Sequence, residues 1–229
     1  MISHRYRCIF VHVPKAAGQS IERFFLGLHG LSWENRAPLL LRWNDEPALG
    51  PQRLAHLFAD EYVRCGHIGA TEFGQYFKFA FVRNPWDRLV SEYHYRGGRR
   101  LGGFQTFVRE GARAAEPYSD IFRHLAPQVR YLHDEGGRLR VDFVGRFENL
   151  QGDFARVCGR LGIPDPALPQ TNASARDKAP RSSMQRLLAR CVRRRGAYTD
   201  YYDARLRDLV AERYAEDIEA FGYAFGTPT

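Results

Sequence analysis

Hydrophobic residues along the chain follow two patterns: short continuous runs, and longer segments in which they recur every three or four residues. Continuous runs rich in β-branched and aromatic residues are typical of strands buried on both faces of a sheet. Recurrence every three or four residues is typical of helices with one buried face. The continuous runs are residues 8–13, 76–82 and 141–147. The helical segments are residues 20–28, 86–95, 148–162 and 203–223.

Because predicted strands alternate with predicted helices, the sequence indicates an α/β fold. We expect a three-layer sandwich in which helices flank a central, mainly parallel sheet. The length of 229 residues fits one domain spanning residues 1–229 with a substantial core. Residues 27–60 and 96–140 are possible insertions for an acceptor, and residues 164–183 are a long polar stretch of the kind that often acts as a lid.

Composition narrows the class of protein. The chain has 34 Lys and Arg against 26 Asp and Glu, a formal charge of +8 that favours anionic partners. The basic residues form no single stripe and no RNA-binding signature is present, so we expect no nucleic acid partner. No apolar run is long enough to span a membrane or to form the core of a signal peptide, and we expect a cytoplasmic protein.

The cysteines indicate neither a zinc site nor a disulfide framework, because they lie far apart and show no CxxC or Cys/His ligand spacing. They are Cys8, Cys65, Cys158 and Cys191.

The segment PKAAGQS, residues 14–20, connects the first predicted strand to the first predicted helix. In a Walker A loop, GxxxxGK[ST], Gly18 and Ser20 would match, but Gln19 replaces the lysine and Lys15 lies at the start of the loop instead. A helix N-terminus with a nearby cation binds anions, whereas the lysine that holds β- and γ-phosphates is missing. The loop therefore indicates a P-loop-like site for a phosphate-like group, although a glycine turn with a surface lysine would give the same pattern.

A second strand–loop–helix unit ends its strand in FVRNPWDRLVSEY, residues 81–93. Arg83 lies at the carboxyl end of the strand, where ligands of open α/β sheets bind. Ser91 follows about two helical turns later, so that a guanidinium and a hydroxyl can reach one phosphate. The two units together are more specific than either alone.

IFVHVPKAAGQS and FAFVRNPWDRLVSEY together resemble the sulfotransferases that use 3′-phosphoadenosine 5′-phosphosulfate (PAPS). The resemblance is to the carbohydrate branch, which includes heparan sulfate 2-O-sulfotransferases and soluble bacterial members. It continues in VDFVGRFENL, in LPQTNAS and in the C-terminal helix, and covers most of the chain. The usual first motif of the family is PKTAGTS, so Ala16 and Gln19 depart from it.

The resemblance implies how the donor binds. Residues of the first loop would hold the 5′-phosphosulfate: Lys15, Ala17, Gly18, Gln19 and Ser20. Residues of the second unit would hold the 3′-phosphate: Arg83 and Ser91. A segment that closes over the nucleotide would include Asn172, Ser174 and Arg176. Lys15 would also stabilise negative charge on the bridging oxygen as the sulfuryl group leaves.

The reaction needs a base, because a hydroxyl is a weak nucleophile until its proton is removed, and histidine suits this near neutral pH. CGHIGATEFG resembles the GH segment of the 2-O-sulfotransferases, so the resemblance implies His67 as the base. Glu22 is an alternative, since some glycan sulfotransferases use a glutamate just after the first loop, but it can equally be a favourable charge near a helix N-terminus. We expect in-line transfer without a metal.

The acceptor implied by the resemblance is a hydroxyl of a carbohydrate or glycoconjugate. Aromatic and arginine side chains in the two possible insertions would suit an acidic glycan, although Trp33 and Trp43 can equally be core residues. Two other functions stay open: a catalytically inactive protein that binds nucleotide or acidic glycan on the same fold, and a nucleotide kinase. Gln19 in place of the Walker lysine argues against the kinase.

Overall fold

The computed structural model describes residues 1–98, 102–110, 116, 118–164, 166–168 and 197–227. Within these residues the central sheet has four strands. The strands are β1 (Ile2–Ser3), β2 (Cys8–Val11), β3 (Phe77–Val82) and β4 (Phe143–Arg146). Their order across the sheet is β1-β2-β3-β4. β1 is antiparallel to β2, whereas β2, β3 and β4 run parallel. The predicted mainly parallel sheet is confirmed.

Helices flank this sheet, as the sequence predicts. Those of the first half are α1 (Gly18–Leu28), α2 (Glu61–Arg64), α3 (Ala70–Gln75) and α4 (Pro85–Tyr95). Those that follow are α5 (Phe104–Glu110), α6 (Asp120–Leu125), α7 (Val129–Leu132), α8 (Leu150–Arg160), α9 (Ala204–Arg213) and α10 (Ala215–Phe221). Residues 37–39, 47–49 and 54–56 form single 3₁₀ turns, so the first possible insertion has little regular structure. Among the residues described, no helix has the length and apolar character that crossing a bilayer requires.

The C-terminal segment differs from its prediction, because two helices replace the single one expected over 203–223. Tyr214 separates α9 from α10 with a non-helical φ of −114° and ψ of 29°. Its ring is buried, and its hydroxyl donates a hydrogen bond to the carbonyl oxygen of Leu125 (3.0 Å). This buried contact holds Tyr214 in place and accounts for the break between the two helices, which the periodicity of hydrophobic residues does not reveal.

The parallel register brings the carboxyl ends of three strands to one edge of the sheet. Val11 pairs with Ala80, and Val82 pairs with Arg146. The segments that follow β2 and β3 therefore lie side by side. α4 leaves this edge and packs through Trp86 against the C-terminal helices, where its indole N–H donates to the carbonyl oxygen of Arg207 (3.1 Å).

The two tryptophans of the first possible insertion differ in their surroundings. Trp33 is half-buried and packs against the core around the sheet, with the guanidinium of Arg36 4.5 Å from the centre of its ring. Trp43 is 53% exposed, and its indole N–H donates to Asp45 (2.8 Å). Trp33 thus packs on the edge of the core, whereas Trp43 lies on the surface.

Candidate active site at the carboxyl edge of the sheet

The loop between β2 and α1 has an unusual backbone. Lys15 and Ala17 both have φ of 69°, in the left-handed region that residues with a side chain rarely adopt. Strain of this kind persists where the surroundings hold it and is concentrated at ligand sites. α1 begins at Gly18 without a side-chain cap. The N–H groups of Ser20 and Ile21 bond the carbonyl oxygen of Ala17 (3.0 and 3.4 Å), so the open end of the helix consists of the N–H groups of Gly18 and Gln19. An open helix N-terminus of this kind can bind an anion.

Gly18 lies where only glycine fits. A Cβ atom built there would lie 1.8 Å from Nε2 of His12, whose ring packs directly against the glycine. His12 is itself fixed, because its Nδ1 lies 2.6 Å from Oε1 of Glu22 on the next turn of α1. Strand β2, the loop and α1 are therefore held together by one buried His–Glu pair. Gln19 is half-buried and Ser20 is buried in the same turn.

Lys15 is half-buried, and its ammonium lies 4.2 Å from the centre of the Tyr95 ring at the end of α4. Burial lowers the pKa of its amine below the ordinary value, and the positive charges of Arg83 and Arg96 add to this effect against the attraction of Glu92. A lysine with little hydration responds strongly to negative charge that develops beside it.

Arg83 joins the two strand–loop–helix units. Its Nη1 donates to the carbonyl oxygen of Lys15 (3.1 Å), and its Nε donates to Oδ2 of Asp87 (2.6 Å). Its guanidinium also lies 4.0 Å from the centre of the Phe147 ring. A guanidinium has five N–H donors, so these contacts leave donors for a phosphate. Ser91 is half-buried two turns along α4 from Arg83.

The two base candidates both have protein partners. Nε2 of His67 lies 2.7 Å from the carbonyl oxygen of Leu49, which accepts a hydrogen bond from it. Glu22 is 2% exposed and paired with His12. The contacts of His67 do not connect it to Lys15 or Arg83, so its role as base stays a prediction. Asn172, Ser174 and Arg176, with almost all of the possible lid 164–183, lie outside the described residues.

A row of three histidines (His12, His56 and His124) borders the loop, and the sequence gives no sign of it. The ring centres of His12 and His56 are 4.6 Å apart, and those of His56 and His124 are 4.9 Å apart. Tyr95 stacks on His124 at 5.4 Å with an angle of 11° between the rings, and its own ring also contacts the Lys15 ammonium. The three positions are far apart in the chain, so no local motif could have joined them.

Burial controls the charge state of the histidine row. It lowers the pKa of His56 well below the ordinary value, with further effects from His12 and His124. It also lowers the pKa of His124, although a hydrogen bond to Glu92 acts in the other direction. For Glu92, burial opposes the charge, but hydrogen bonds from His124 and Arg96 outweigh it and lower the pKa to about 2. Both shifts favour the neutral form of the ring at neutral pH.

The chain belongs to the sulfotransferase family, whose sequence model matches residues 1–224. Carbohydrate sulfotransferase 14 of Homo sapiens is 25% identical over 84% of this chain and 57% of its own length, and that of Mus musculus is 28% identical over 80% and 52%. An uncharacterized protein of Archaeoglobus fulgidus is 31% identical over 48% of this chain and 88% of its own length. No solved structure matches the chain significantly. The chain thus spans little more than half the length of the mammalian relatives.

Proposed function

We propose that the protein transfers the sulfuryl group of PAPS to a hydroxyl of a carbohydrate or glycoconjugate. The observation that carries the proposal is the contact of Arg83 with the carbonyl oxygen of Lys15, which joins the two proposed anion-binding elements at one edge of the sheet. Membership of the sulfotransferase family supports the reaction, and the names of the mammalian relatives support the acceptor class.

In this proposal the donor occupies a P-loop-like site. The 5′-phosphosulfate binds at the start of α1, through Lys15, Ala17, Gly18, Gln19 and Ser20. The 3′-phosphate binds Arg83 and Ser91 on the neighbouring unit. The polar residues of the possible lid, Asn172, Ser174 and Arg176, would complete the nucleotide site.

The acceptor oxygen would attack sulfur in line with the leaving group. A new oxygen–sulfur bond forms while the bond between sulfur and the 5′-phosphate oxygen breaks, and adenosine 3′,5′-bisphosphate leaves. Lys15 stabilises the negative charge that develops on that phosphate oxygen. The base takes the proton of the hydroxyl; we assign this step to His67, through the ring nitrogen that does not contact Leu49.

The donor site is tested by calorimetry. We expect adenosine 3′,5′-bisphosphate to bind without metal and more tightly than ATP with Mg²⁺, and Arg83→Ala to abolish that binding. Arg156→Ala is the matched control, because this arginine is 71% exposed and forms a salt bridge with Asp153 on its own helix. Preference for ATP with Mg²⁺ would favour a kinase, and binding of the bisphosphate without transfer from PAPS to any glycan would favour an inactive binding protein.

The base is tested separately from the donor site. His67→Ala should lower the rate of transfer by about 10²- to 10⁴-fold, the usual contribution of a general base, while bisphosphate binding is unchanged. Glu22→Gln tests the alternative in the same assay. His133→Ala is the control, because this half-buried histidine bonds the carbonyl oxygen of Val129 within its own segment. An unchanged rate in His67→Ala would remove it as the base.

A further inference from the structure

Two histidines and a carboxylate converge beside the candidate active site. One ligand atom from each of His56, Asp120 and His124 lies within 4.8 Å of the other two. His56 closes the 3₁₀ turn 54–56. Asp120 and His124 lie four residues apart on α6, so they share one face of that helix. Histidine and carboxylate side chains at such separations are a common ligand set for divalent transition metals.

The outer contacts of the two histidines favour metal binding. Nδ1 of His124 lies 2.7 Å from Oε2 of Glu92, and Nδ1 of His56 lies 3.4 Å from the carbonyl oxygen of His12. Histidines that bind metals nearly always donate their other N–H to a carboxylate or a carbonyl, which directs the lone pair of the remaining nitrogen toward the ion. Both histidines show this arrangement, which leaves Nε2 for a ligand.

The atoms that face the cluster lack hydrogen-bond partners. Nε2 of His124 and Oδ1 of Asp120 are buried atoms without one, and the His124 side chain is only 4% exposed. They lie 3.5 Å from each other, and Nε of Arg53 lies 3.2 Å from the same Oδ1, but neither contact has hydrogen-bond geometry. Buried polar groups nearly always have partners, so these atoms indicate a group that binds between them.

We propose that His56, Asp120 and His124 bind one divalent first-row transition metal ion, which Zn²⁺ represents. Three protein ligands leave a coordination position open, as in catalytic rather than structural zinc sites. The argument for the metal does not rest on the proposed sulfuryl transfer, although the cluster borders the same loop through His12 and Tyr95. The proposal departs from the expectation of a metal-free protein, which the sequence could not correct because the three ligands come from distant segments.

The charges around the cluster decide how tightly it holds an ion. Oδ2 of Asp120 already accepts a hydrogen bond from Arg96 (2.8 Å), which leaves Oδ1 for the metal. The Arg53 side chain is 42% exposed and can therefore turn toward solvent when an ion displaces it.

Metal binding to the full chain tests the proposal. The protein is freed of metal with a chelator and titrated with Zn²⁺ by calorimetry, and with Co²⁺ by visible absorption, which reports the ligand geometry. We expect one ion per chain. His124→Ala and Asp120→Asn should each weaken binding by about 100-fold or more, and Glu92→Gln by about 10- to 100-fold through the outer contact.

Two variants separate a specific site from general damage. His133→Ala, a histidine outside the cluster, should leave the affinity unchanged. Arg53→Ala removes a positive charge beside Oδ1 and should tighten binding, a gain that a misfolded protein cannot produce. Absence of binding, or affinity that is the same in His124→Ala, Asp120→Asn and the wild type, would overturn the proposal and assign the unpartnered atoms to bound water.

Discussion

The two strand–loop–helix units of the candidate site differ in how the N-terminus of the helix is capped. The helix of the first unit, α1, begins without a side-chain cap, and no acidic residue lies in its first turn. The helix of the second unit, α4, is capped by its own residues. The side chain of Asn84 accepts a hydrogen bond from the backbone N–H of Trp86, the first helical residue is Pro85, and Asp87 lies in the first turn. The sheet thus presents one open helix N-terminus beside one that the protein itself satisfies.

This difference explains how each unit would bind an anion. The first offers backbone N–H groups, whose positions depend on the strained loop and on the close contact of Gly18 with His12. The second offers the side chain of Arg83, oriented by Asp87 and by the carbonyl oxygen of Lys15. Changes to the backbone should therefore damage the first unit, and loss of the helix cap should damage the stability of the second more than its binding.

Gly18→Ala should have the largest effect on the first unit. A methyl group 1.8 Å from the His12 ring forces the loop and α1 apart, and overpacking of this kind costs about 1–3 kcal/mol. We expect bisphosphate affinity to fall by about ten- to 100-fold in calorimetry. Gly27→Ala is the control and should bind normally, because it lies in the same helix and its added methyl group would enter open space. Equal affinity in the two variants would show that the loop geometry does not matter.

Asn84→Ala should mainly reduce stability. Asn84 is fully buried; its side chain caps α4 and also donates to the carbonyl oxygen of Ala224 (3.0 Å), so its loss removes a cap and leaves an acceptor unpaired. We expect the free energy of unfolding to fall by about 2 kcal/mol in urea denaturation, with bisphosphate affinity within about threefold of the wild type. Asp203→Ala removes the exposed cap of α9 and should cost about 1 kcal/mol. A large loss of affinity in Asn84→Ala would place the cap in the binding site.

The smallest effect concerns the pH dependence of transfer. In the proposed reaction the Lys15 amine must be protonated to stabilise the leaving group, and burial lowers its pKa. As pH rises through that lowered pKa the charge is lost, so the rate should fall at a lower pH than for an ordinary lysine. Lys15→Arg keeps its charge, and its rate, although reduced at every pH, should not show this alkaline fall. An identical alkaline limb in the two proteins would assign it to another group.

Sequence patterns predict the parallel strands and the two strand–loop–helix units, because both follow from the order of hydrophobic and polar residues that are close together in the chain. The predicted strand 76–82 matches β3 (Phe77–Val82), and the predicted helix 86–95 matches α4 (Pro85–Tyr95) closely. β1 was not predicted, since a two-residue strand carries no periodic signal. The histidine row and the partners of Arg83 and His67 depend on contacts between distant segments. Such contacts produce no recognisable motif in the sequence, so they could not be predicted from it.

The bond between Arg83 and the carbonyl oxygen of Lys15 has a consequence for the entropy of binding. A loop with two residues at φ of 69° would lose much of that conformation if nothing held it. Because Arg83 reaches it from the neighbouring strand, the loop is ordered when the protein folds and before any nucleotide arrives. The conformational freedom that a mobile loop would lose on binding is already lost, so more of the contact energy with the proposed donor would be available as affinity.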